Sequence, residues 1–80
     1  MNEFNLEGRD YIALNDLLKI TGLCESGGVA KVVIAEGKVK VGGLIELRKT
    51  CKIRHGQVVE YAGQQITVTS LPSRTYSAAT

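Results

Sequence analysis

Seven cationic side chains crowd into residues 31 to 54: Lys31, Lys38, Lys40, Arg48, Lys49, Lys52 and Arg54. Only Glu36 and Glu46 oppose them, so this stretch carries a net +5. The rest of the chain sets Arg9, Lys19 and Arg74 against six acids, a net −3. Such asymmetry within one short chain points to an anionic partner. Phosphate suits these residue types: lysine meets it as a point charge, and arginine grips it with two parallel N–H donors. Within "EGKVKVGGLIELRK", residues 36–49, Val39 and Val41 alternate with Lys38 and Lys40. A strand there buries the valines, each worth about 1.5 kcal/mol or more, and turns the lysines the other way. Folding has no need of those lysines beyond guarding a sheet edge.

Other chemistry is poorly represented. His55, in "RHGQ", is the single histidine and belongs to a turn; no nucleophile or carboxylate is tied to it by a catalytic motif. Cys24 and Cys51 lack the paired spacing of zinc ligands and read as free thiols in a reducing compartment. The sequence therefore predicts no enzyme, no metal and no cofactor. It has no apolar run of about 18 residues that could span a membrane, and "MNEFNLEGRD" does not read as a signal peptide. The expected location is the cytoplasm and the expected state a monomer. The aromatic residues, Phe4, Tyr11, Tyr61 and Tyr76, do not interleave with the basic residues along the chain. Stacking along a single strand is thus not expected. A shaped anion read through its backbone is.

The elements that must carry these cations follow from periodicity. "EFNLE" alternates and reads as an edge strand. In "LNDLLKITGL", Leu14, Leu17, Leu18 and Thr21 make one helical stripe, Asn15 or Asp16 suits the first turn, and Gly22 suits the stop. In "ESGGVAKVVIAEG", Ser26 is the predicted N-cap, Ala30, Val33 and Ile34 the buried stripe, and Lys31 stands outside it. Gly27 and Gly28 leave bare backbone at this helix start, which suits a tight turn between helices or a phosphate. From Val39 the period becomes two. A strict two-residue turn at Gly42–Gly43 would mix polar and apolar faces, so a bulged, irregular closure is expected, with Val41 near Ile45. "CKI", "VVEY" and "ITV" follow as short strands separated by Gly56 and Gly63. Residues 1–70 read as one domain and 71–80 as a mobile tail.

This order, carried by Leu14, Leu17, Leu18, Gly22, Leu23, Ser26, Ala30, Lys31, Ile34, Gly37, Val39, Val41, Gly43, Ile53 and Gly56, resembles the S-four-like RNA-binding domain. The likeness spans roughly residues 12–61, and "LLK", "AKVVIAEGKVKV" and "RKTCKI" resemble its small stand-alone bacterial members. Three positions depart from the family pattern. Gly27 replaces an arginine, Gly42–Gly43 replaces Asn-Gly, and Gly56–Gln57 replaces Gly-Asp. The resemblance implies an α/β (α+β) fold, with two short helices packed on a small, mostly antiparallel sheet. It also implies a cytoplasmic binder of structured RNA, ribosomal or otherwise folded, using two helices and a loop. Lys31, Lys38, Lys40, Arg48, Lys49, Lys52 and Arg54 are the expected RNA-binding residues, with Lys19 as an outlying candidate. Arg48 and Lys49 lead because they fall in the loop the family uses. The rival expectation is an adaptor whose basic face meets an acidic protein.

Overall fold

The structure, a computed structural model, describes residues 2–70. Its elements run β1 (Asn2–Asn5), β2 (Ile12–Ala13), α1 (Leu14–Ile20), α2 (Gly27–Ala35), β3 (Val39–Val41), β4 (Leu44–Ile45), β5 (Lys52–Ile53), β6 (Val58–Tyr61) and β7 (Gln64–Thr69). Five strands form one sheet in the order β1-β7-β6-β3-β4, and β2 pairs with β5 in a separate ribbon. Only β1 against β7 is parallel; the other pairings are antiparallel. The tail expected over 71–80 lies outside the described residues.

One core joins the helices to both sheets. Leu14, Leu17 and Leu18 of α1 and Ala30 and Ile34 of α2 are fully buried with Val39, Ile53, Val59, Ile66 and Val68. The predicted stripes are therefore the packed ones, although Thr21 is only half-buried and returns its hydroxyl to the Leu17 carbonyl at 2.7 Å. Helix α1 stops where Gly22 takes a positive φ of 82° and donates its N–H to the Lys19 carbonyl. Ser26 caps α2, its Oγ accepting the Val29 N–H at 3.2 Å.

One expectation is corrected. The β3–β4 closure is a clean two-residue hairpin, with Val41 opposite Leu44 and Lys40 opposite Ile45. Both Gly42 and Gly43 have positive φ, 60° and 85°, the pairing that matches strand twist in a tight turn. A bulge would answer a need to bury Ile45 with Val41. That need is absent, because β4 is an edge strand and Leu44 and Ile45 are 76% and 59% exposed. At the start of α1, Asp16 supplies the expected first-turn acid, while Ala13 occupies the N-cap and offers no side-chain bond.

Candidate functional site

The uncapped start of α1 is satisfied from elsewhere in the chain. The Leu14 N–H donates to the Cys51 carbonyl at 2.9 Å, and the Asn15 N–H donates to the Lys49 carbonyl at 3.1 Å. Helix starts leave free N–H donors that need partners, and here the basic loop provides two of them. The loop is thereby pinned to the helix, and the β2–β5 ribbon continues the attachment with Ala13 opposite Lys52 and Ile12 opposite Ile53. Ile53 is fully buried, so strand alternation turns Lys52 and Arg54 outward together.

Both of those cations settle on one aromatic ring. The Lys52 Nζ lies 5.0 Å and the Arg54 Cζ 5.6 Å from the centre of the Tyr11 ring. The attraction of each to the ring is worth about 0.5–1 kcal/mol at an exposed site. It holds two like charges side by side that would otherwise spread apart. Lys49, three residues earlier, is exposed and forms no ion pair among the described residues. Lys49, Lys52 and Arg54 thus line one segment that runs beside residues 11–15.

The remaining candidates are placed differently. Arg48 adjoins the cluster, but its guanidinium holds the Glu46 carboxylate through Nε at 2.9 Å and Nη2 at 3.1 Å. Glu46 also accepts the Arg48 backbone N–H at 2.9 Å. These hydrogen bonds, side chain first, hold the Glu46 pKa down to about 2 from an ordinary 4.5. Lys38 pairs with Glu36 at 3.1 Å, both well exposed. Lys40 stands opposite Glu60 and Ile45 in the five-stranded sheet, on the face away from buried Val39. Lys31 is exposed on α2, one turn beyond Gly27. Lys19 sits in the last turn of α1, at the opposite end from the pinned loop.

At the junction of the helices, Asn15 is buried, and its Oδ1 has no hydrogen-bond partner. Its Nδ2 is 3.8 Å from where a side chain at Gly27 would begin, so the carboxamide lies against the first residue of α2. Cys24 and Cys51 are both free thiols, and burial raises the pKa of each. The Arg48 Nη2 also reaches the Cys51 Sγ at 3.6 Å. Among the described residues no group of His, Cys, Asp or Glu is placed to hold a metal ion, and no helix is long and apolar enough to cross a membrane.

Tyr11 is the residue that sequence reasoning missed. It lies far along the chain from Lys52 and Arg54, and only the β2–β5 register brings them together. A two-residue strand leaves no periodicity to detect.

The two helices, the pinned loop and the mixed sheet are the parts of an S4 domain. The S4 domain family matches residues 4–69, and the chain belongs to that family. Among curated proteins it is 50% identical over 68 residues to YbcJ of Escherichia coli (strain K12), named there a candidate RNA-binding protein. The match covers 85% of this chain and 97% of that protein, and YbcJ of Shigella flexneri, named as uncharacterized, matches equally. The solution structure of E. coli YbcJ, described as revealing an ALFAL motif involved in RNA-binding, is similar at a TM-score of 0.69 and 48% identity. That match covers 88% of this chain and 89% of the other.

Proposed function

We propose that this chain binds structured RNA through the segment carrying Lys49, Lys52 and Arg54. Lys31 on α2 extends the surface, and Lys38, Lys40, Arg48 and Lys19 form its margins. The observation that carries this reading is the convergence of Lys52 and Arg54 on Tyr11, beside a loop pinned to the first turn of α1. Cations held in fixed places by backbone hydrogen bonds and an aromatic ring lose little freedom on meeting a phosphate backbone. Phosphate contacts of this kind position a protein without reading sequence, so shape governs the choice of RNA. The RNA-binding description of YbcJ supports the same reading. The target is ribosomal RNA or another folded RNA, the setting is the cytoplasm, and the chain acts as a monomer without cofactor or catalysis.

The Lys38–Glu36 pair does not count against a role for Lys38. An exposed pair is worth about 0–1 kcal/mol, so a phosphate can displace the carboxylate.

A second reading, a protein-interaction adaptor with an acidic partner, draws on a different observation. Leu44 and Ile45 on the edge strand β4, and Leu47 just after it, are 76%, 59% and 58% exposed. Titrating a folded RNA at several salt concentrations separates the two. About five phosphate contacts give log affinity falling against log salt with a slope of about −4 to −5. A slope near zero, with binding to an acidic protein instead, favours the adaptor.

A further inference from the structure

The Tyr11 ring does more than hold two cations. It is 42% exposed, and it lines an open groove of about 630 Å³ formed by residues 8–13 and Asp16. The groove's lining carries two acids, Asp10 and Asp16, and one base, Arg9. Asp10 and Asp16 border it, and neither forms an ion pair among the described residues. Arg9 is turned toward other partners, its Nε donating to the Leu6 carbonyl at 3.1 Å and its guanidinium lying 5.9 Å from the Phe4 ring centre. Two carboxylates without ion pairs, against one arginine, make the groove a poorer seat for phosphate than the strip beside it. They accept hydrogen bonds, so the groove favours a group rich in donors. The Tyr11 ring at its side favours a flat, aromatic one.

We propose that Tyr11 and this groove seat one unpaired nucleobase of the bound RNA, with Lys52 and Arg54 taking the phosphates on either side of it. The inference rests on the RNA-binding reading and adds to it. A base turned out of a bulge or junction offers a face to stack and a Watson–Crick edge to bond. Guanine fits best among the bases: its N1–H and N2 amino group give two adjacent donors for a carboxylate, whereas uracil offers one N–H flanked by carbonyls that the acids repel. Selectivity for RNA carrying an extruded guanosine follows, superimposed on sequence-blind backbone binding.

The test uses hairpin RNAs identical except for a single bulged nucleotide. The full-length protein binds the guanosine-bulged hairpin about five- to tenfold more tightly than the fully paired one, in the range of one stacked base, and the uridine-bulged hairpin with a smaller gain. Tyr11→Phe keeps this preference. Tyr11→Leu abolishes it, weakening binding to the guanosine-bulged hairpin more than to the paired one. Asp10→Asn with Asp16→Asn removes the preference for guanosine over uridine, and carries the test should Tyr11→Leu fail to fold by circular dichroism. Equal binding of bulged and paired hairpins by the unaltered protein overturns the proposal. So does an equal loss on both hairpins in Tyr11→Leu, which would make the ring a prop for Lys52 and Arg54 alone. Absence of binding to every hairpin at low salt overturns the RNA-binding reading itself, and the seat with it.

Discussion

Arg48 and Glu46, two residues apart in the basic loop, hold each other through two side-chain hydrogen bonds of 2.9 and 3.1 Å. Arg48 is largely exposed, at 77% of its side chain, while that of Glu46 is 17% exposed. The pair offsets one of the positive charges that the sequence offers an anion.

The pair makes the loop sensitive to acid. The Glu46 carboxyl binds its proton less readily in the folded protein, at about 2, than at its ordinary 4.5. Its contribution to stability is therefore complete above about pH 4.5 and is lost as pH falls toward about 2. Following the Glu46 side-chain carboxyl carbon by NMR should give a midpoint near 2. A midpoint near 4.5 would mean that Arg48 does not hold it in solution.

Glu46→Gln should strengthen RNA binding. The substitution removes the charge that matches Arg48 and frees the guanidinium for a phosphate. Each added phosphate contact steepens the plot of log affinity against log salt by about 0.7–0.9. An unchanged or shallower slope would show that Arg48 reaches no phosphate even when released.

The turn between β6 and β7 contains a built-in strain. Ala62 has φ of 55° and Gly63 a φ of 79°, with Tyr61 opposite Gln64. Alanine in the left-handed region costs about 1–2 kcal/mol, whereas Asn-Gly is the favoured pair for such a turn. Ala62→Asn should raise stability by about 0.5–1 kcal/mol in chemical denaturation, with RNA affinity unchanged. A lower midpoint would show that the alanine makes a contact worth more than the strain.

The same logic applies inside the protein at Asn15. A buried oxygen without a donor costs about 1–3 kcal/mol. Asn15→Leu, which keeps the branched shape without the polar atoms, should stabilise the fold by about 1 kcal/mol, read from the denaturation midpoint. Destabilisation would mean that the carboxamide is bonded in solution, through water or through the start of α2.

The packed parts of this fold were legible because burial imposes a period. Leu14, Leu17 and Leu18 reveal α1, and Val39 with Val41 reveals β3, since each set must face the core. Ser26, Gly22 and Gly37 mark helix ends because backbone geometry there demands those residue types. The β3–β4 register was not legible, because the argument from burial has no force on a strand that buries neither face. The basic stretch was legible as a charge count, but its geometry was not. Whether Arg48 is free depends on a two-residue hook to Glu46, and whether Lys52 and Arg54 converge depends on Tyr11, which only the folded chain brings near. The S4 domain likeness supplied the fold where periodicity was weakest.

The central claim is that Lys49, Lys52 and Arg54 dock on RNA backbone. It is tested most directly by measuring affinity for a folded RNA across a salt series with the unaltered protein and with all three residues changed to alanine. The account predicts that the triple variant keeps its fold, binds more weakly at low salt, and shows a slope shallower by about 2–3. The same affinity and the same slope in both proteins would contradict it.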